Sequence, residues 1–242
     1  MLKRRVILLL VSFAVLFIPC TKVSASSKDS NVASLADMGF CAGPYLPTEY
    51  FENAPNMPKT TRYENSIVNN RVARITVNIQ SPLEKSWRDT YSDYYYQANE
   101  VVERIDDYLY EQFGIDFYTI SQPSWDIGTT AIPAVAINEL VTNHGTGNAD
   151  IMIAFAGPIY DSLLGGTGYG ITPHNGQPYC VIFDHGYNQN CKSAQHEVGH
   201  TYGLAHCNNT CVMQQGEDVN WNLFEHLCSE HYSLWNAAKN NY

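Results

Sequence analysis

His196-Glu197-Val198-Gly199-His200-Thr201-Tyr202-Gly203-Leu204-Ala205-His206 is the stretch that decides how this chain is read. His196 and His200 are four residues apart, so on a helix they project from one face and can grip one metal ion. Glu197 lies beside that face, where a carboxylate can take a proton from zinc-bound water. Gly203 supplies the backbone freedom needed to end the helix and turn the chain. That turn lets His206 approach the same ion as a third nitrogen ligand. Three protein ligands leave the fourth position open for water, which marks a catalytic zinc and not a structural one.

A bare HExxH recurs on many unrelated helices, whereas HExxHxxGxxH fixes five identities. This longer pattern resembles that of the metzincin metallopeptidases. Metzincins carry a methionine in a tight turn beneath the zinc histidines. Cys211-Val212-Met213-Gln214-Gln215-Gly216 follows His206 closely, with Met213 placed for that role. Some metzincins have a functional tyrosine two residues after the methionine; Gln215 stands there, so no such role is assigned.

The cysteines look most like those of archaemetzincins within that group. Cys207 follows the third histidine, Cys211 lies two before Met213, and Cys228-Ser229-Glu230-His231 comes later. In archaemetzincins four cysteines hold a second, structural zinc. Here the first spacing is one residue shorter and His231 replaces the final cysteine. The resemblance implies a possible second zinc on Cys207, Cys211, Cys228 and His231, and Cys₃His is a reasonable donor set. Disulfides are the alternative, favoured by export.

Export is read from the first residues. Lys3-Arg4-Arg5, an apolar run from Val6 to Ile18 and Val23-Ser24-Ala25 form a secretory signal, with cleavage expected after Ala25. The apolar run falls short of the roughly 18–20 residues of a spanning helix, so no stable membrane anchor is expected. Cleavage removes Lys3, Arg4, Arg5 and Lys22 and no acid, taking the formal charge from −10 to −14. Such an acidic chain argues against nucleic acid or an anionic membrane as partner. Six of the 7 cysteines remain after Cys20 is lost. An even number suggests disulfides, with Cys180 and Cys191 bracketing a short loop. Cys41 would then either anchor the arm by a disulfide or, left free, cap the zinc as a pro-segment cysteine does in matrix metalloproteinases.

Three segments are expected: a signal peptide 1–25, an arm or short pro-segment 26–65, and a catalytic domain 66–242. Pro44, Pro47, Pro55 and Pro58 make the arm irregular. Residues 72–79 alternate as a strand. A helix is expected from about Thr90 to Phe113, burying Ala98, Val101, Val102, Ile105, Leu109 and Phe113 and ended by Gly114. Further strands are read at 115–120, 149–155 and 179–184, with a short helix at 135–141. Ser193 reads as the N-cap of the zinc helix. A last helix is expected from Asn222 to about Ala238, with Leu223, Phe224, Leu227, Leu234 and Trp235 inward. Of Tyr94, Tyr95 and Tyr96, two are expected to pack. His144, His174, His185 and His226 read as surface or loop residues.

The resemblance to metzincins implies an α/β, or α+β zincin-like, fold: a twisted mixed sheet, two long helices above the cleft, and a small irregular C-terminal subdomain ending in a helix. It also implies an antiparallel edge strand above the zinc, at Thr167–Thr172, to which an extended peptide adds. The expected activity is that of a secreted zinc endopeptidase acting on peptides or proteins through water activated by Glu197, with Zn2+ as cofactor.

Overall fold

A computed structural model describes residues 39–43, 74–128, 132–161, 166–214 and 223–242. The expected signal peptide, most of the arm and residues 215–222 lie outside the described residues. The apolar run Ile151–Ala156 forms β6, buried at every position. A strand buried in this way needs neighbours on both edges and cover on both faces. β2 (Ile75–Gln80) and β9 (Tyr179–Phe183) flank it in parallel. β4 (Ile115–Ser121) pairs parallel with β2. Beyond β9, β8 (Gly166–Thr172) turns antiparallel, and β1 (Gly39–Gly43) pairs antiparallel with β8. The order is therefore β1-β8-β9-β6-β2-β4. Short strands β3 (Leu83–Glu84), β5 (Ser124–Trp125) and β7 (Ile159–Asp161) attach to this path.

Five helices cover the sheet among the described residues: α1 (Lys85–Thr90), α2 (Tyr94–Phe113), α3 (Pro133–Asn143), α4 (Tyr187–Thr201) and α5 (Ser229–Ala238). Strand alternation sorts the core into two layers. Ile151, Ile153 and Phe155 of β6, with Cys180 and Ile182 of β9, face α2, α4 and the Trp235 side chain of α5. Met152, Ala154, Ala156, Val181, Phe183 and Ile171 face α3. The two long helices, α2 and α4, thus share one face of a twisted, mostly parallel sheet, as expected. No helix among the described residues is long and apolar enough to cross a membrane.

The predicted buried stripe of α2 is present in full, from Ala98 to Phe113. Gly114 ends the helix at φ 72°, a left-handed cap that glycine adopts without a Cβ clash. The start differs from expectation. Tyr91 is extended and separates α1 from α2, because its ring packs on Trp87 and its hydroxyl donates to Asp184 at 2.9 Å. Only Tyr94 of the three adjacent tyrosines packs on the core, while Tyr95 and Tyr96 are about half exposed.

Three other expectations are corrected. The arm is not wholly irregular, since Gly39–Gly43 is recruited as a strand by the edge of β8. The last helix starts at Ser229; Leu223 and Phe224 are buried in the preceding turn, and Leu234 is exposed. Cys180 and Cys191 form no disulfide: both are fully buried fillers between β9 and α4. Burial pushes the Cys191 thiol up to about 12 and Cys180 well above its ordinary value. That suppresses the thiolate on which disulfide formation depends.

Candidate active site

The helix bearing the histidine motif is anchored at its start by a buried carboxylate. Asp184, 6% exposed, accepts the Tyr91 hydroxyl, the Asn190 amide and the backbone N–H of Gly186, which is the N-cap of α4. The predicted N-cap, Ser193, lies inside this helix instead, where its hydroxyl accepts the Gln189 amide at 2.9 Å. The N-cap is Gly186, seven residues before Ser193, and Asp184 braces this start by accepting the Gly186 N–H and the Asn190 side-chain amide.

The end of α4 is set by Gly203. Its φ of 90° breaks the helix, and its N–H donates to the His200 carbonyl while that of Leu204 donates to Gly199. The reversed chain brings His206 back beneath the helix. The Nε2 atoms of His196, His200 and His206 then form a near-equilateral triangle with edges of 3.1, 3.1 and 3.2 Å.

Two of these rings have their tautomer set by backbone carbonyls. His196 Nδ1–H donates to the Val212 carbonyl at 2.6 Å, and His200 Nδ1–H donates to the Leu204 carbonyl at 2.7 Å. Burial, reinforced by the neighbouring imidazoles, holds His196 well below its ordinary pKa and lowers His200 to about 4. Burial lowers His206 as well. At neutral pH the His196 and His200 rings are therefore neutral, with Nε2 lone pairs facing each other at 3.1 Å. Facing lone pairs repel unless a cation lies between them. A tetrahedral zinc bonded at about 2.05 Å separates its nitrogens by about 3.3 Å, so the triangle fits that ion.

Glu197 stands beside the triangle and is 1% exposed. The Thr172 hydroxyl of β8 donates to its Oε2 at 2.7 Å. Gly170, also on β8, approaches so closely that an added Cβ would lie 2.5 Å from Glu197 Cγ and 2.7 Å from Oε1. Met213 is fully buried under α4 at Gly199, where a Cβ would lie 3.1 Å from the methionine Cε and closer still to Sδ. Its loop is closed by the Cys207 N–H donating to the Met213 carbonyl at 3.1 Å. Sequence reasoning missed Thr172, Gly170 and Gly199. Their roles arise from contacts between elements, and only the glycines at unusual density in 165–170 offered a local signal.

A second cluster lies on the other side of the methionine loop. Ligand atoms of Cys207, Cys211, Cys228 and His231 all fall within 4.8 Å of one another. His231 Nδ1 is 3.3 Å from both Cys211 Sγ and Cys228 Sγ, and the ring is 3% exposed. None of the three cysteines is in a disulfide. Three thiols and one imidazole at this spacing suit a closed tetrahedral zinc site. His144, His174, His185 and His226 join neither cluster; the half-buried His185 donates from Nε2 to the Gly168 carbonyl.

Arg104 of α2 pairs with Glu225 and covers the Phe224 ring at 4.7 Å. The Glu225 N–H donates to Gln195 of α4 at 2.7 Å. These contacts fix the chain that leads into the second cluster.

Comparison with known proteins converges on the same segment. Residues 187–226 match the family described as peptidase family M54, the archaemetzincin family. The matched stretch contains all three histidines, Glu197 and Met213, so this segment is similar to the corresponding part of a metallopeptidase family. No curated protein matches the chain. Among solved structures, archaemetzincin from Archaeoglobus fulgidus complexed with malonate is 20% identical, with TM-score 0.44 over 66% of this chain and 99% of that one. Metalloproteinase-II from Bacteroides fragilis is 14% identical, with TM-score 0.48 over 79% and 60%. A chaperone–substrate complex is 14% identical, with TM-score 0.49 over 69% and 34%, so the chain spans about a third of that relative's length.

Proposed function

We propose that the protein is a secreted zinc-dependent endopeptidase, with the ion held by His196, His200 and His206 and the proton moved by Glu197. The observation that carries this reading is the pair of Nε2 lone pairs on His196 and His200, fixed face to face by the carbonyls of Val212 and Leu204. Zinc in that position supplies a Lewis acid that acidifies water and polarises a carbonyl. Glu197 accepts the proton of the attacking water and delivers it to the leaving amine. Thr172 holds one oxygen of that carboxylate, which fixes the direction in which the other part of the group works. The edge of β8 that β1 covers carries the backbone donors and acceptors for which an extended peptide would compete, and there the scissile bond would lie above the histidines.

Cys207, Cys211, Cys228 and His231 are assigned a second, structural zinc. A closed four-ligand site leaves no position for water. Secretion is supported by the basic, apolar and small-residue pattern of residues 1–25. A zinc protein that only bound ligands would have no use for a buried carboxylate beside the metal.

Zinc stoichiometry on protein purified without chelator, combined with cleavage of a mixed peptide library, tests the reading. Two zinc ions per chain are expected, together with cleavage at internal bonds that a chelator abolishes and added zinc restores. Metal-free protein, or cleavage indifferent to chelation, would sink it.

A further inference from the structure

β8 is paired along both edges. β9 and β7 take one side, and β1 takes the other, from Gly39 opposite Thr172 to Gly43 opposite Thr167. The edge to which a peptide would add is thus already filled by a segment of the N-terminal arm.

The register fixes which residue lies over the site. Residues directly opposite in an antiparallel ladder share a face of the sheet. Ile171 belongs to the α3 layer, so its neighbours Gly170 and Thr172 lie on the α4 face. Both contacts to Glu197 agree with this. Cys41 is the partner of Gly170, and Phe40 that of Ile171. Gly39 and Cys41 are thus the register partners of Thr172 and Gly170, the two β8 residues that touch Glu197. The ladder shifts register immediately afterwards, between Cys41 and Ala42.

We propose that β1 is an internal pseudosubstrate that keeps the peptide-binding edge of β8 closed, so that the full chain stays latent until the arm is displaced or cut. This rests on the peptidase reading of the site. Gly39-Phe40-Cys41-Ala42-Gly43 contains no charged residue, and a backbone ladder joins it to β8. Backbone pairing alone is weak between separate molecules. Within one chain the tethered strand acts at an effective concentration of roughly millimolar, which outcompetes dilute peptides.

The test compares the wild-type chain with Phe40→Pro/Cys41→Pro in the full-length protein. Successive N–H groups of a strand point to opposite edges. Two adjacent prolines therefore remove at least one donor to β8 whichever way β1 faces. Hydrogen exchange of the Gly168–Thr172 amides is expected to accelerate in the variant. The amides of Ile151–Ala156 should stay protected, which shows that the sheet is intact. Hydrolysis of a mixed fluorogenic peptide library should rise about tenfold or more. A synthetic peptide of residues 36–46 carrying Cys41→Ser, added in trans, should lower it again without chelating zinc. Equal β8 protection in both proteins overturns the proposal, as does wild-type hydrolysis that the prolines leave unchanged. Hydrolysis by neither protein counts against the peptidase reading alone, and the exchange of the β8 amides then decides the strand docking by itself.

Discussion

Gly199 and Met213 are in direct contact, with the glycine Cα taking the place where any side chain would strike the methionine sulfur. The glycine sits between the two helical histidines, so this contact sets the distance between α4 and the methionine loop beneath it. A second glycine contact, Gly170 on Glu197, sets the distance from the helix to the sheet. The site is clamped between two places where a side chain has been left out.

Gly199→Ala should therefore destabilise the protein despite improving the helix. Alanine gains about 1 kcal/mol of helix propensity, but forcing a methyl group into Met213 costs about 1–3 kcal/mol. A lower melting temperature and weaker zinc retention are expected. Adding Met213→Ala should relieve the clash, and a double variant no better than the single would show that the contact is not the cause.

Glu197→Ala should retain zinc and lose about 10²–10⁴-fold in peptide hydrolysis, the usual cost of a missing general base. Thr172→Val should also retain zinc, with a smaller fall in kcat, because it removes only the hydroxyl that donates to Oε2. Zinc content and steady-state rates on the variants decide both. Near wild-type hydrolysis by zinc-loaded Glu197→Ala would remove Glu197 from the mechanism.

Asp106 gives a pH test of the fold. It is 6% exposed on α2 and its Oδ1 accepts the Phe117 N–H at 2.5 Å. Burial, with Asp116 and Glu103 adding repulsion, raises its pKa to about 7. An unfolded aspartate titrates near ~3.9, so folding takes up a proton between these values. Its stabilising contribution is complete below ~3.9 and is lost as pH rises through about 7. Asp106→Asn keeps the acceptor without the charge. Urea melts should find the variant equal to wild type near pH ~4 and more stable by roughly 1–3 kcal/mol near pH ~8. A pH-independent difference would refute the assignment.

The second cluster predicts a thiol count. With Cys180 and Cys191 also reduced, denatured and metal-free protein should expose at least the five described thiols. Under native conditions Cys207, Cys211 and Cys228 should be shielded by metal. His231→Ala should lower the zinc content by one ion per chain and leave the three-histidine site loaded. Fewer than three titratable thiols after denaturation would replace the metal with disulfides.

Legibility followed the range of the interactions. The α2 stripe was readable because a 3.6-residue period records burial on one face, and Gly203 because a broken helix leaves its sign locally. The histidine triangle was readable because all three residues lie within one helix and its turn. The start of α4 was not, because its N-cap is Gly186, braced by Asp184, which is itself held by the hydroxyl of Tyr91, 93 positions away. Thr172 and Gly170 owe their roles to the packing of β8 on α4. β1 could not be read at all: five residues with two glycines have no alternation to follow, and become a strand only by pairing with one.

The Asn78 N–H donates to Asp150 across 72 positions of the chain, where β2 meets β6. Pairings between segments so far apart must pay loop-closure entropy before any contact repays it, which makes parallel sheets slow to fold. The three histidines are local to one another, yet the wall that positions Glu197 exists only after β9 and β8 have docked on β6. Fewer residues separate the three histidines from one another than separate Glu197 from Thr172 and Gly170, so the loop to be closed is shorter for the triangle than for the wall beside it.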